Sequence, residues 1–143
     1  MMGGGPKKDK KFIMKILNQI KRGDKSLNIV DDKDGTPTYT HDFSRNVKSL
    51  LEKEYWGLYN MVCKGQTSRI DVAKEILSIL ELKDKIKINA VSSEFFKEEY
   101  FAERPPSERL INMKLKLRGL DNMRSWKYSL KEYLENYFKD FLI

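Results

Sequence analysis

The stretch that decides the fold is IVDDKDGTPTYTHDF, residues 29–43. It predicts the end of a strand, a polar turn, an extended Thr-Pro-Thr segment and the start of a helix. Pro37 keeps Thr36 extended, because the proline ring disfavours helical angles at the preceding residue. Asp42 suits the first turn of the helix, where the positive end of the helix dipole favours a carboxylate. Such a passage presents backbone N–H groups and hydroxyls at a sheet edge, where phosphorylated or sugar ligands bind. A well-made loop that binds nothing is the alternative that these residues leave open.

Outward from this stretch, the spacing of the apolar residues predicts helices separated by short strands. Ser68 and Asp71 form a capping-box pattern at one helix start, and Gly23 and Gly119 are typical helix stops. Two passages from strand to helix, each with a long helical pattern, indicate an α/β fold. The predicted helices cover residues 9–22, with Asp9 as the N-cap, and residues 40–53, 68–80, 92–96, 108–116 and 125–141. The predicted strands cover residues 26–30, 57–63 and 86–91.

Composition limits the classes of partner. The 143 residues are enough for one domain with a real core. The net charge of +7 is spread along the chain and alternates with acids, which is typical of solvated helix faces. We therefore expect no nucleic-acid partner and keep nucleic-acid binding as the weaker alternative. No apolar run has the length of a membrane span, and the first residues lack the apolar core of a secretory signal. The single cysteine, Cys63, fits a reducing compartment and predicts a buried, inert thiol. These features predict a cytoplasmic protein without a membrane partner.

Catalytic constellations are missing from the sequence. The single histidine, His41, has no evident Ser or Cys partner, and no Cys and His residues have the spacing of a zinc site. We therefore predict no catalytic and no metal-binding residue. Arg104 is the most interesting cation, because the two prolines after it stiffen the segment, and a guanidinium held in this way suits phosphate recognition. A surface ion pair of Arg104 with Glu103 or Glu108 is an equally consistent interpretation.

Four motifs in register resemble a known family. Residues 31–43, DDKDGTPTYTHDF, closely resemble the DxxGxPTYxxDL passage of the dTDP-4-dehydrorhamnose reductases, members of the extended short-chain dehydrogenase/reductase superfamily. Three later pieces, in the same order, are similar to the family's GxYHxxxxGxTSxxxFAxxI, RPxxSxLxNxxL and WxxALxxYL. They are residues 57–76, 104–115 and 126–134. The first twelve residues resemble the segment after the family's RxxW strand, although Lys11 stands where the family usually has Asn. The resemblance thus extends over nearly the whole chain.

The resemblance implies that residues 1–143 are the C-terminal, substrate-binding part of such a reductase. We expect the glycine-rich residues 1–8 to be a flexible lead-in. In the family, the first half holds the glycine-rich cofactor loop and the catalytic Tyr-x-x-x-Lys pair. Neither occurs here, since none of the seven tyrosines has a lysine four positions later. The implied fold is a small α/β lobe of short strands and packed helices without its Rossmann half. No cofactor-binding residue is expected in this chain, and NAD(P)H is implied for the complete enzyme.

By the same resemblance, the complete enzyme reduces a 4-keto deoxysugar nucleotide in dTDP-rhamnose and surface polysaccharide biosynthesis. The implied partners are a dTDP-sugar and a Rossmann half, in cis or in trans. The residues that we expect near the sugar nucleotide are Phe12, Thr36, Thr38 and Arg104. The alternative is a non-catalytic regulatory or protein-interaction module of the same family. Without a Rossmann half, we expect the first helix and the aromatic face of the last helix to be exposed.

Overall fold

The computed structural model describes residues 1–98 and 105–139. Two short strands form a parallel sheet, and the helices pack around it. The helices are α1 (Gly5–Lys8), α2 (Phe12–Lys21), α3 (Thr40–Glu52), α4 (Arg69–Ile79), a 3₁₀ helix (Ser93–Phe96), α5 (Met113–Leu117) and α6 (Trp126–Tyr137), and the strands are β1 (Ser26–Val30) and β2 (Lys87–Val91).

The two strands lie side by side because a long crossover connects them. The register runs from Ser26 opposite Lys87 to Val30 opposite Val91. A parallel pair needs such a crossover, and α3 and α4 provide it. The core lies between β1 and the apolar faces of α2, α4 and α6. Its fully buried side chains include Leu17, Leu27, Ile76, Leu130 and Tyr133.

Most predicted helices are found close to their predicted bounds. The capping box at the start of α4 is confirmed, because the Ser68 hydroxyl accepts from the Asp71 N–H and the Asp71 carboxylate accepts from the Ser68 N–H. Gly23 ends α2 in the left-handed region, at φ 86°. The helix predicted for residues 108–116 is shorter and shifted, since α5 begins only at Met113.

Residues 1–8, which we expected to be a flexible lead-in, make specific contacts with the rest of the chain. The side chain of Met2 is buried in the core. Its N–H donates to the Thr38 carbonyl at 2.8 Å, and its carbonyl accepts from the Thr40 N–H at 3.0 Å. Residues 5–8 form helix α1. The glycine-rich composition suggested flexibility, whereas contacts distant in sequence hold the segment in place.

The strand predicted for residues 57–63 is not formed. In the part of the chain that the structure describes, no strand pairs with it. The side chain of Asn112 takes the place of a neighbouring strand at one position, because it accepts from the Val62 N–H at 2.9 Å and donates to the Val62 carbonyl at 2.8 Å. A strand-like sequence forms a strand only when a sheet edge is available to pair with it.

A buried charge network attaches α3 to α6. The fully buried carboxylate of Asp42 accepts from Arg124 Nε at 2.6 Å, from Ser129 Oγ at 2.6 Å and from Arg45. Arg124 also forms a two-bond pair with Glu132, at 2.6 and 3.1 Å. Burial by itself raises the pKa of Asp42, but the bonds from Ser129 and Arg124 outweigh it and lower that pKa. Asp42 is therefore ionised, and its carboxylate joins α3 to α6.

The expected exposure of the first helix and of the aromatic face of α6 is also wrong. Ile16, Trp126 and Tyr133 are all buried, because α2 and α6 pack into the same core. The longest helix, α3, has 13 residues, and none within residues 1–98 and 105–139 is long and apolar enough to cross a bilayer.

Candidate functional site

A cavity opens beside the Thr-Pro-Thr segment. Its volume is about 170 Å³, and its lining is mostly apolar. It is lined by residues 1–2, the start of α2, the loop after β1, the start of α4 and residues 105–108. The lining residues include Asp9, Lys11, Phe12, Asp34, Thr36, Arg69 and Pro105.

Backbone hydrogen bonds around Asp34 hold these segments together. The Asp34 N–H donates to the Pro106 carbonyl at 2.8 Å, and the Asp34 carbonyl accepts from the Glu108 N–H at 2.9 Å. The next N–H, that of Gly35, donates to the Thr67 carbonyl at 3.0 Å. The loop after β1 therefore lies between the start of α4 and residues 105–108, and it fixes both at the cavity.

The side chain of Arg109 reinforces the same junction. Its Nε donates to Ser107 Oγ at 3.1 Å, its Nη1 donates to Gln66 Oε1 at 3.1 Å, and its Nη2 lies 3.3 Å from Asp34 Oδ2. Asp34 is therefore paired at the rim. Because these groups are partly exposed, the junction contributes more to geometry than to stability.

Two cations, Lys11 and Arg69, line the cavity together with Phe12. Arg69 is the first residue of α4, and its guanidinium carbon lies 6.0 Å from the Phe12 ring centroid. Lys11 precedes Phe12 at the start of α2. Among the described residues, neither Lys11 nor Arg69 forms an ion pair with a carboxylate, so both can meet an anion. The N–H groups at the start of α4 add to the positive potential.

A buried carboxylate closes the wall near the start of α2. Asp9 accepts from the Lys11 N–H at 2.8 Å and from the Tyr133 hydroxyl at 2.7 Å. The pKa of Tyr133 is raised, first by burial and then by the bond to Asp9. Both oxygens of Asp9 are thus occupied, and the carboxylate ties the cavity wall to α6.

The sequence-predicted residues fall in different places. Phe12 and Thr36 line the cavity, and the Thr36 hydroxyl donates its hydrogen to the Gly65 carbonyl at 3.1 Å, which leaves its oxygen as an acceptor. Thr38 is buried outside the cavity lining, with its hydroxyl 3.5 Å from the Thr36 carbonyl. Its ligand contact stays a prediction. Arg104 lies outside the described residues and directly precedes Pro105, which lines the cavity.

The remaining potentially reactive side chains, Cys63 and His41, make contacts within the protein. Cys63 is buried against Asp42 and Ser129, and burial raises the pKa of its thiol. His41 is exposed and stacks on Tyr39 with ring centroids 4.7 Å apart. In residues 1–98 and 105–139, no three His, Cys, Asp or Glu side chains lie where they could share a metal ion.

The described residues do not fit a nicotinamide dinucleotide. Dinucleotide folds hold the pyrophosphate on a glycine-rich turn that runs from a strand directly into a helix. Here β1 is followed by an extended loop that reaches α3 only at Thr40, and β2 is followed by a single turn of 3₁₀ helix. The arrangement can bind and orient an anionic ligand with an apolar or ring-shaped part.

Sequence reasoning missed Arg69 and Arg109 as residues of the site. The role of Arg69 could have been predicted from the sequence, because Arg69 comes directly after the capping residue Ser68 at the positive end of a helix. The role of Arg109 could not have been predicted, since its partners at positions 34 and 66 are far away in sequence.

The chain matches the family model described as RmlD substrate binding domain over residues 5–139. It is similar to the dTDP-4-dehydrorhamnose reductase of Yersinia enterocolitica, at 33% identity and a TM-score of 0.82, and the match covers 96% of this chain and 47% of that one. The reductase of Clostridium acetobutylicum is 32% identical at a TM-score of 0.81, with coverages of 90% and 44%. The reductase of Bacillus anthracis, solved in complex with NADP, is 26% identical at 0.77, with coverages of 91% and 44%.

No curated protein matches the chain in a sequence search. The chain spans less than half the length of the solved reductases that it matches. These structural matches confirm the resemblance predicted from the four motifs. They also confirm the α/β fold of a substrate-binding part of the extended short-chain dehydrogenase/reductases.

Proposed function

The chain belongs to the RmlD substrate binding domain family, and from this premise we propose that it forms the sugar-nucleotide-binding wall of an NAD(P)-dependent reductase. The substrate of that reductase would be a 4-keto deoxysugar nucleotide, as in the formation of dTDP-rhamnose for surface polysaccharides. The single observation that carries the proposal is the cavity at the Thr-Pro-Thr segment, whose mostly apolar lining includes two cations, Lys11 and Arg69, that form no ion pair within the described residues.

The volume of the cavity supports the proposal that this chain forms only one part of the binding site. Pockets that enclose a drug-sized ligand have volumes of roughly 300–1,000 Å³, and this cavity has about 170 Å³. It can therefore enclose only part of a nucleotide sugar. A second wall, from polypeptide outside this chain, would complete the pocket.

The charges support a particular orientation of the ligand. Arg69 and Lys11 line the cavity together with Phe12, so a diphosphate would bind these cations while a ring of the ligand rests against Phe12. Charge-assisted bonds from a guanidinium to phosphate oxygens are short and directional. Thr36 would accept from a hydroxyl or an N–H of the ligand. Arg104, next to Pro105, would supply a further cation at the same rim.

The chain would position the substrate, and it would supply no proton or nucleophile to the reaction. Holding a substrate in one orientation lowers the barrier of its reaction substantially, without a proton or a nucleophile from the holding residues. Because the residues that the structure describes do not fit a nicotinamide dinucleotide, we place the cofactor and the catalytic pair in the partner half. Asp9 and the Asp34 junction would keep the cavity wall rigid during binding.

Calorimetry of the full chain with dTDP-glucose tests the proposal. We expect saturable binding that becomes at least about tenfold weaker in Arg69→Gln, the loss of about 1.4 kcal/mol that one charge-assisted bond to phosphate supplies. The same loss is expected for Arg104→Ala. Arg22→Gln is the matched control, because Arg22 pairs with Asp24 on the surface outside the cavity lining.

Two results would contradict the proposal. One is the absence of binding to dTDP-glucose by a folded chain, especially together with stable capture of a protein that lacks a nucleotide-binding fold. The other is equal affinity of the wild type, Arg69→Gln and Arg22→Gln, which would place the nucleotide elsewhere on the surface.

A further inference from the structure

A second cavity lies at the start of α6. Its volume is about 500 Å³, and it is open to solvent. No residue lines both this cavity and the one beside the Thr-Pro-Thr segment. We call it the α6 cavity, and the residues that line it are Lys64, Asp121, Asn122, Met123, Arg124, Ser125 and Tyr128.

Backbone hydrogen bonds fix the loop at Lys64 to the start of α6. The Lys64 N–H donates to the Arg124 carbonyl at 2.8 Å, and the Lys64 carbonyl accepts from the Trp126 N–H at 3.0 Å. Gly65 follows at φ 99°, and a Cβ there would lie 3.0 Å from Cδ1 of the Trp126 ring. Glycine therefore permits the close approach of the loop to α6, and the two sides of the α6 cavity are held together.

Helix α6 begins without a side-chain cap. Ser125 occupies the N-cap position, and its hydroxyl makes no capping hydrogen bond. Within residues 1–98 and 105–139, nothing accepts from the N–H groups of Lys127 and Tyr128 in the first turn. Such N–H groups and the helix dipole favour an anion. The Lys64 side chain, which is half exposed, adds a cation to the same cavity.

A buried carboxylate oxygen in the wall of the α6 cavity lacks a donor. The side chain of Asp121 is only 7% exposed, and its Oδ1 accepts from the Asn112 amide at 3.2 Å and from the Met123 N–H at 3.3 Å. Its Oδ2 accepts no hydrogen bond from the described residues. The Lys64 ammonium lies 3.9 Å from Oδ2, which is too far for a hydrogen bond, and donates to the Asp121 carbonyl at 3.1 Å. Because a buried acceptor without a donor is costly, Oδ2 indicates a ligand that donates a hydrogen bond.

The ring of Tyr128 offers the cavity an aromatic surface. Tyr128 is 59% exposed, and the guanidinium carbon of Arg124 lies 4.7 Å from its ring centroid. The charge of Arg124 is already met by Asp42 and Glu132. Arg124 therefore packs on the tyrosine, and the exposed part of the ring can cover the apolar C–H face of a sugar.

We propose that the α6 cavity binds a sugar phosphate. The phosphate accepts from the N–H groups of Lys127 and Tyr128 and from the Ser125 hydroxyl. The Lys64 ammonium, which has three donors, turns from Asp121 to the phosphate and opens Oδ2 to a hydroxyl of the sugar. The sugar ring then lies against Tyr128. This site is additional to the proposed sugar-nucleotide site and does not depend on it.

Simpler ligands satisfy only part of the α6 cavity. Inorganic phosphate would meet the first turn of α6 and leave Oδ2 of Asp121 without a carbon-bound hydroxyl beside the Tyr128 ring. A neutral sugar would leave the N–H groups of Lys127 and Tyr128 without an anion. A nucleic acid would bring further phosphates close to the Asp121 carboxylate, which repels them. The combination of an anion site, an acceptor and an aromatic ring therefore favours a sugar phosphate.

Amide chemical shifts of the ¹⁵N-labelled full chain, titrated with glucose 1-phosphate, test the proposal. We expect saturable shifts at residues 64–65 and 121–128 and an unchanged cavity at residues 11–13 and 33–37. Cyclohexyl phosphate has a six-membered ring without hydroxyl groups. It and inorganic phosphate should bind the same residues at least about tenfold more weakly, because neither donates from a sugar to Asp121.

Two exposed substitutions separate the phosphate from the sugar. Lys64→Gln should weaken glucose 1-phosphate and inorganic phosphate alike, by about fivefold for a partly exposed ion pair. Tyr128→Ser should weaken glucose 1-phosphate and leave inorganic phosphate unchanged. Lys85→Gln and Phe95→Ser are the matched controls, since Lys85 is exposed outside the α6 cavity and Phe95 is as exposed as Tyr128, at 59%. All four variants should keep the melting temperature of the wild type.

Four results would overturn the proposal. The first is an unchanged spectrum at saturating glucose 1-phosphate, and the second is a set of shifts that concentrates at residues 33–37 and 68–69. The third is equal affinity for glucose 1-phosphate, cyclohexyl phosphate and inorganic phosphate, which would show an adventitious ion only. The fourth is a folded Tyr128→Ser variant that binds glucose 1-phosphate as tightly as Phe95→Ser does.

Discussion

Replacing Asp42 by asparagine should destabilise the domain more than any surface change of the same kind. The carboxylate is fully buried and accepts from Arg124 and Ser129, both at 2.6 Å. Removing one partner of a buried pair costs about 3–5 kcal/mol, because the other charge is left uncompensated. Arg124 keeps its two bonds to Glu132 and is one-quarter exposed, so we expect the lower end, about 3 kcal/mol. In a domain of this size, that loss lowers the melting temperature by about 10 °C.

The pH dependence of the loss identifies its cause. The folded-state pKa of Asp42 is lowered relative to the unfolded chain. Its stabilisation is therefore fully present above the unfolded value, about 3.9, and is lost as the pH falls through the folded value. Asparagine does not titrate, so the difference between the wild type and Asp42→Asn should shrink below about pH 4.

Urea denaturation followed by circular dichroism, from about pH 7 down to about pH 3, measures this difference. Asp24→Asn is the control, because Asp24 pairs with Arg22 at the surface, where such a pair contributes less than about 1 kcal/mol. Equal losses in Asp42→Asn and Asp24→Asn at neutral pH would refute the reasoning. A gap that stays constant over the whole pH range would refute it as well.

Two further predictions concern single hydrogen bonds. Ser68→Ala removes the capping box of α4 and should cost about 1 kcal/mol, whereas Ser125→Ala should cost clearly less, since the Ser125 side chain makes no capping bond; thermal melts of both variants check this. Tyr133→Phe leaves the buried Asp9 carboxylate without one donor and should cost about 1–3 kcal/mol of unfolding free energy. Because Asp9 lines the cavity, the same variant should also bind dTDP-glucose more weakly, and unchanged affinity with unchanged stability would show that the bond matters to neither.

Elements that depend on neighbours in sequence could be predicted from the sequence. The capping box of Ser68 and Asp71 and the stop at Gly23 are local patterns, and the structure has both. The strand 57–63 could not be predicted correctly from propensity alone, because a strand also requires a pairing edge. The burial of Met2 was equally inaccessible, since it depends on hydrogen bonds to Thr38 and Thr40.

The same distinction applies to the site. Phe12 and Thr36 line the cavity as part of segments whose positions the motifs located, although their contact with a ligand stays a prediction. Arg109 acts through Asp34 and Gln66, which only the folded chain brings to it. A residue that connects loops distant in sequence belongs to no periodic or local sequence pattern from which its role could be predicted.

The central claim is that a sugar nucleotide binds in the cavity beside the Thr-Pro-Thr segment. Amide chemical shifts of the ¹⁵N-labelled full chain, titrated with dTDP-glucose, test it most directly. We predict saturable shifts concentrated at residues 11–13, 33–37 and 68–69. Shifts that concentrate on another surface, or an unchanged spectrum at saturating ligand, would contradict it.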